Sequence, residues 1–132
     1  MSYGTGNRYR EMDVMAMTPA RRLVMLYTHL LVQLRQARRH LEQGEIELRG
    51  ERLLKAEEIV RELLISLNYE AGGSLARQLA SLYEWLLKEF SAIHRKPDLK
   101  RLDAATKIVA ELHEAWEGAA NQLSGLAEAP AA

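Results

Sequence analysis

Residues 18–44 read TPARRLVMLYTHLLVQLRQARRHLEQG, and the spacing of apolar residues here sets the architecture of the chain. They recur at alternating intervals of four and three, as on one face of an α-helix, at Leu23, Tyr27, Leu30, Leu34, Ala37 and Leu41. Thr18 can cap free N–H groups of the first turn, and Pro19 follows where a missing N–H costs nothing. Gly44 lies where a left-handed cap would end this helix.

Three further stretches repeat this spacing. A second helix ends near Asn68 and carries Leu53, Ala56, Val60, Leu63 and Leu67. A third follows Gly72-Gly73, with Ser74 as its predicted cap, and carries Leu75, Leu79, Leu82, Leu86, Phe90 and Ile93. A fourth begins at Pro97-Asp98 and carries Leu102, Ala105, Val109, Leu112, Trp116, Ala119, Leu123 and Leu126. Short connections favour antiparallel neighbours, so the sequence predicts an all-α fold: an antiparallel up-down four-helix bundle over residues 18–126.

The two ends of the chain differ from this bundle. Residues 1–17 lack helical periodicity and are predicted to form an extended N-terminal arm, whereas residues 127–132 are small and are predicted to be a mobile tail. All five methionines lie within the first 25 residues, at Met12, Met15, Met17 and Met25 in addition to Met1. Methionine is flexible and polarizable, which suits surfaces that repack against partners.

Composition excludes several classes of function. Eighteen basic and eighteen acidic residues cancel, so no overall field would attract nucleic acid or an anionic membrane. The longest apolar run is far shorter than the roughly 20 residues that span a bilayer, and no signal peptide is visible. There is no cysteine, which fits a reducing compartment. We therefore predict a cytoplasmic protein without nucleic-acid binding or stable membrane insertion.

No catalytic constellation is present. A di-iron or di-manganese bundle needs Glu-x-x-His pairs, but the residues three before the four histidines are Leu26, Ala37, Ser91 and Ala110. No phosphate-binding glycine loop or nucleophile motif occurs. The sequence predicts that the protein is not an enzyme and has no cofactor or metal; a metal–carboxylate enzyme is a distant alternative.

Apolar residues outside the core stripes indicate an interaction surface. At 100° per residue, Met25 and Val32 point away from the stripe of the first helix, and Leu54 and Ile65 point away from that of the second. Scattered exposed apolar residues are common, but two aligned pairs favour docking of an amphipathic segment. Trp85 lies at the flank of the third stripe. Tyr27 and Tyr83 lie at stripe edges, where a phenol can pack its ring and keep its hydroxyl in water.

The order of several motifs resembles the FliS family of flagellar secretion chaperones. They are Tyr9 with Val14 five residues later, Thr18-Pro19, Leu26-Tyr27, Lys55-Ala56-Glu57-Glu58-Ile59-Val60-Arg61-Glu62-Leu63, Ser66-Leu67-Asn68, Gly72-Gly73-Ser74-Leu75-Ala76, Leu82-Tyr83-Glu84-Trp85-Leu86 and Ala115-Trp116. The likeness spans residues 9 to about 120, and it implies an antiparallel helical bundle that a flagellin segment wraps around.

The resemblance also implies a function. It implies binding of the C-terminal polymerisation segment of flagellin, prevention of premature assembly, and delivery to the flagellar export gate, with the arm as a lid on the binding surface. Tyr9 and Val14 match the family's arm positions, and Tyr27, Asn68 and Tyr83 match its characteristic aromatic and polar positions. We predict a monomer or weak homodimer. The alternatives are another helical secretion chaperone or adaptor with a different cargo, and a self-associating structural bundle.

Overall fold

A computed structural model describes residues 18–128, which form four helices. They are α1 (Pro19–Glu42), α2 (Ile46–Ile65), α3 (Tyr69–Arg95) and α4 (Leu99–Glu128). No strand occurs between residues 18 and 128, so the all-α, four-helix prediction is confirmed. The predicted arm, with Tyr9 and Val14, lies outside the described residues, as do residues 129–132 of the predicted tail.

Polar side chains and glycine set most helix ends as the sequence predicts. The Oγ1 atom of Thr18 accepts a hydrogen bond from the backbone N–H of Arg21 at 3.2 Å, so Thr18 caps α1. Asp98 Oδ1 accepts from the N–H of Arg101 at 3.0 Å at the start of α4. Gly44 has a φ of 71° after the end of α1, the left-handed conformation that glycine adopts without strain.

The start of α3 differs from the prediction. Asn68, and not Ser74, caps α3, because Asn68 Oδ1 accepts from the N–H of Ala71 at 3.0 Å. The predicted turn at Gly72-Gly73 therefore lies inside α3. Gly73 has φ 51° and ψ −124°, so one helical turn forms after Asn68 and the axis then kinks before the rest of α3. The asparagine cap precedes the glycines, which is why α3 begins earlier than expected.

One face of each helix forms a common core. Helix α1 packs against α2 and α4, while α3 packs against α2 and α4. The largest fully buried side chains are Tyr27, Tyr83, Phe90, Leu30, Leu34, Leu53, Leu63, Leu86, Ile93, Leu102, Val60 and Val109. Nearly all were assigned to core stripes from their spacing alone.

Two predicted core residues are exposed instead. Leu75 is 52% exposed and Leu123 is 58% exposed. Leu75 follows the kink at Gly73, which places it on an open face of α3. Leu123 lies beyond Asn121, which already hydrogen-bonds Arg21 in the first turn of α1, so the end of α4 extends past its neighbour.

Side-chain pairs join α1 and α4 along much of their length. The guanidinium of Arg21 donates to Asn121 near the start of α1. Thr28 Oγ1 lies 2.8 Å from His113 Nε2. Farther along α1, Arg38 Nε donates to Asp103 Oδ1 at 2.8 Å. These contacts fix the register of α4 against α1 near the start, the middle and the end of α1.

Candidate functional site

Two adjoining pockets form a groove at one end of the bundle, where α1 begins, α2 ends and α3 begins. The first pocket, of about 320 Å³, is lined by Leu23, Leu63, Ser66, Leu67, Asn68, Ala71, Gly72, Leu75, Ala76, Leu79, Tyr83 and Trp116. The second pocket is lined by Pro19, Arg22, Leu23, Met25, Leu26, Glu62 and Ser66. Because Leu23 and Ser66 line both, we treat the pockets as one surface and call it the end groove.

The start of α3 gives the end groove its shape. The Asn68 cap begins a helical turn immediately after α2, and Gly73 then redirects the chain. A Cβ atom placed on Gly72 would lie 2.9 Å from the Cβ of Ala76, closer than real Cβ atoms pack, so glycine permits this tight approach. The kink leaves Leu75 half exposed on the groove wall. The groove is therefore open and mainly apolar.

A buried tyrosine pair lies beneath the groove. The hydroxyl oxygens of Tyr27 and Tyr83 are 2.6 Å apart, with side chains 0% and 1% exposed. Burial raises the pKa of both phenols above the ordinary value of 10.0; the shared hydrogen bond lowers the pKa of Tyr27 and raises that of Tyr83. The buried indole N–H of Trp116 has no hydrogen-bond partner, although it is close enough to lower the pKa of Tyr27.

The groove brings together three of the residues predicted as partner contacts. Asn68 and Tyr83 line its first pocket, and half-buried Met25 lines its second. Tyr27 lies below the surface, in contact with Tyr83. The prediction that Tyr27 and Tyr83 keep their hydroxyls in water is wrong, because each hydroxyl is buried and satisfied by the other. The Asn68 side chain caps α3 and thereby shapes the groove.

The other predicted contacts on the helices lie outside the groove lining. Val32, Leu54 and Ile65 are 41%, 53% and 84% exposed, so they point outward as their helical phase predicts. We call these three residues the outer stripe. Trp85, predicted at a flank, is 37% exposed. Tyr9 and Val14 lie outside the described residues.

Several groove residues were not identified from the sequence as contacts. Leu67, Leu75 and Trp116 each fit a helical stripe, which predicts core positions, yet all three line the end groove. The usable signal is positional. Leu67 follows the last turn of α2, where no further turn covers it, and the glycine pair at 72–73 marks a break beside Leu75. No such signal marks Trp116, which lies within α4.

The described side chains show no other chemical centre. Among them, no group of three His, Asp or Glu residues is placed to hold a metal ion. No helix between residues 18 and 128 is both long enough and apolar enough to cross a membrane. The arrangement is thus a small helical bundle with an open apolar groove at one end, and such grooves accept apolar faces of peptide segments.

Comparisons with known proteins identify the family. The family model described as Flagellar protein FliS matches residues 2–123. The Flagellar secretion chaperone FliS of Vibrio cholerae is 32% identical over 102 residues, 77% of this chain and 75% of that protein. The protein of the same description from Salmonella typhimurium is 30% identical over 108 residues, 81% of this chain and 80% of that protein. The chain belongs to the FliS family, as its motifs predicted.

A solved structure has the same fold. It is described as the crystal structure of a flagellar chaperone from bacteria, and it matches with a TM-score of 0.74 at 23% identity, over 92% of this chain and 99% of that one. At this identity the likeness supports the fold alone. Membership in a family whose relatives are chaperones implies a non-enzymatic role in flagellar export.

Proposed function

We propose that this protein is a cytoplasmic export chaperone that binds the C-terminal polymerisation segment of flagellin, prevents its premature assembly and aids its delivery to the flagellar export gate. The observation that carries the proposal is the end groove, an open and mainly apolar surface in a chain of the FliS family. An amphipathic helix of the cargo would place its apolar residues against Leu67, Leu75 and Trp116.

Binding of this kind couples folding of the cargo to association. The cargo segment is disordered when free, and burying its apolar face in the groove supplies the affinity. Ordering the segment consumes part of that free energy, which keeps the complex reversible. A segment held in this way cannot pair with other flagellin molecules, and no covalent step is needed.

The outer stripe extends the proposed contact. Ile65 directly precedes Ser66 of the groove lining, and Leu54 and Val32 lie farther from the groove on the exposed sides of α2 and α1. A cargo chain that continues from the groove would meet these three residues next. Their side chains lack surrounding walls, so each would contribute less than a residue in the groove.

The N-terminal arm supplies a competing occupant for the groove. It contains the methionines at positions 12, 15 and 17 as well as Tyr9 and Val14, and it leads directly to Thr18 and Pro19 beside the second pocket. We propose that residues 1–17 cover the groove when cargo is absent and are displaced when cargo binds. Cargo must break the contacts between the arm and the groove, so the net free energy of cargo binding is reduced by the free energy of those contacts.

We also propose that the helices run antiparallel in an up-down order and that the protein is a monomer or weak homodimer. The direction is supported by the α1–α4 contacts, because residues 21, 28 and 38 of α1 meet residues 121, 113 and 103 of α4. Connections of three residues between successive helices, at 43–45, 66–68 and 96–98, leave room only for a reversal of direction.

Titration calorimetry with the C-terminal segment of flagellin from the same organism tests the proposed function. We expect saturable binding with a negative heat-capacity change, since apolar area is buried. Segments from other exported proteins are the control. No binding of the flagellin segment by the folded bundle would contradict the proposal, and preference for a different exported segment would favour the alternative cargo. An apparent molecular mass that rises with protein concentration, and that does not fall when cargo is added, would favour self-association.

A further inference from the structure

Positive side chains cluster on the outer side of α1 and α4, at the end of the bundle opposite the end groove. The two helices meet here because Arg38 Nε donates to Asp103 Oδ1 at 2.8 Å. Four further cations lie within four residues of this contact, are exposed and form no ion pair with any described side chain. We call them the basic face, and they are Arg35, Arg39, Lys100 and Lys107.

Helical phase places the four cations on one side of the seam between α1 and α4. At roughly 100° per residue, Arg38 lies about 40° from the buried Leu34 on α1, and Arg39 lies about 140° from it in the same direction. On α4, Asp103 likewise lies between the buried face and Lys107. The contact between Arg38 and Asp103 is therefore nearer the core, and the cations of both helices lie side by side on the outside of it.

Local electrostatics do not explain this cluster. Arg35 and Arg39 are four residues apart on one helix, where like charges are destabilising. Lys100 lies in the first turn of α4, which has no acidic residue and where the helix dipole opposes a positive charge. The two acids in this region both contact Arg38 instead. Repulsion within the basic face is thus left for an anion from outside the bundle to relieve.

The extent of the basic face favours a short anionic partner. Lys100 and Lys107 are about 10 Å apart along α4, at a rise of roughly 1.5 Å per residue. Farther along α4, the same outer side carries Glu111 and Glu114, which are exposed and form no ion pair with any described side chain. A nucleic-acid duplex or a charged bilayer would extend past the cations and meet these acids, whereas a short acidic peptide would not. The guanidinium groups of the face can also bind carboxylates through two parallel hydrogen bonds.

We propose that the basic face binds a short acidic segment of a protein partner, with carboxylates spaced about one helical turn apart. This surface is separate from the end groove. Leu23 of the groove and Arg39 of the basic face both belong to α1, and they are about 24 Å apart along its axis. The proposal therefore does not depend on which cargo binds in the groove.

The direct test follows the side-chain Nε resonances of Arg35 and Arg39 by NMR in the full chain. One probe is an acetylated and amidated peptide with three repeats of Glu-Ala-Ala-Ala, and its control is the same peptide with Gln in place of Glu. A short DNA duplex and vesicles of phosphatidylcholine with phosphatidylserine are titrated separately. We expect saturable shifts with the Glu peptide that diminish as salt is raised, and shifts at least fivefold smaller with the Gln peptide.

A matched pair of double variants separates the basic face from positive charge in general. Lys100→Gln/Lys107→Gln removes two cations of the face, and Lys55→Gln/Lys88→Gln removes two exposed cations of α2 and α3. The first should weaken binding of the Glu peptide about five- to tenfold, the second less than twofold, with the unfolding midpoint as the control for folding. The proposal is overturned by an absent shift with the Glu peptide, by equal shifts with both peptides, by tighter binding of DNA or vesicles, or by equal weakening in the two variants.

Discussion

The hydroxyl of Tyr27 on α1 lies 2.6 Å from the hydroxyl of Tyr83 on α3, and both side chains are buried. This contact joins two residues of different helices that lie 56 positions apart in the chain. Tyr83 also lines the first pocket of the end groove. The hydrogen bond therefore ties α1 to the wall of the groove, and its loss should affect both stability and the shape of the binding surface.

Removing one hydroxyl of this pair should destabilise the bundle. In Tyr27→Phe the Tyr83 hydroxyl stays buried without its partner, which costs about 1–3 kcal/mol. Tyr83→Phe should cost a similar amount. The double variant should be clearly more stable than the sum of the two single losses predicts, because no polar atom of the pair is left unsatisfied. Urea unfolding measures all three; strictly additive losses would show that the two hydroxyls do not depend on each other.

The same pair should make stability fall at alkaline pH. Burial raises the pKa of both phenols above 10.0 in the folded state. The unfolded chain releases these protons near pH ~10 while the folded chain keeps them. The stability that the folded state gains by keeping both phenols protonated is thus complete below about pH 10, and it is lost as the pH rises above that value. Unfolding midpoints measured from pH ~8 to ~11 should drop less in the Tyr27→Phe/Tyr83→Phe double variant, which is the control.

Two glycine substitutions should change stability in opposite directions. Gly73 has φ 51°, where an alanine is strained, so Gly73→Ala should cost about 1–2 kcal/mol. Gly118 lies inside α4 with open space around the position of a Cβ atom, so Gly118→Ala should gain about 0.5–1 kcal/mol. Thermal unfolding of the two variants checks this. Similar effects of both changes would show that the kink at Gly73 does not exist in solution.

Two leucines with matched exposure should distinguish the contribution of the groove to cargo binding from that of the outer stripe. Leu75, in the groove, is 52% exposed, and Leu54, in the outer stripe, is 53% exposed. An aspartate in an apolar contact loses water without gaining a partner, so Leu75→Asp should weaken binding of the flagellin segment about 10- to 100-fold. Leu54→Asp should weaken it only about two- to fivefold, since it lies outside the concave surface. The reverse order would place the main contact on the outer stripe.

Deleting residues 1–16 should strengthen cargo binding. If the arm occupies the groove in the free protein, only a fraction of the molecules can bind cargo, which raises the apparent Kd. Removing the arm makes the groove open in every molecule, so the apparent Kd should fall. Calorimetry of the truncated and full-length proteins with the same flagellin segment measures this factor. An unchanged Kd would contradict the lid, and the bundle's unfolding midpoint serves as the control for folding.

The architecture was largely predictable because apolar spacing and capping residues act locally. Thr18, Gly44 and Asp98 set helix ends through contacts within a few residues. The start of α3 was not predictable in the same way, because Asn68 and Ser74 are both good caps and nothing local ranks them. A turn of helix fits between Asn68 and Gly73, so the earlier cap forms and α3 begins there.

The site was less predictable because it depends on where helices end relative to one another. Helical phase correctly placed Val32, Leu54 and Ile65 outward, since phase is a property of one helix. Phase cannot show that Leu75 is uncovered or that two tyrosines from α1 and α3 meet. Both facts arise from the kink at Gly73 and from packing among three helices.

Binding of flagellin in the end groove is tested most directly by NMR of methyl groups, which maps the cargo onto the bundle. The full chain, with labelled Leu, Val, Ile, Met and Ala methyls, is titrated with the flagellin C-terminal segment. We predict that the largest shifts occur at Leu67, Leu75 and Met25 of the end groove, with smaller shifts at the outer stripe and none at Ala105 of α4, which is fully buried. Saturable binding without shifts of the groove methyl resonances would contradict binding of the cargo in the end groove.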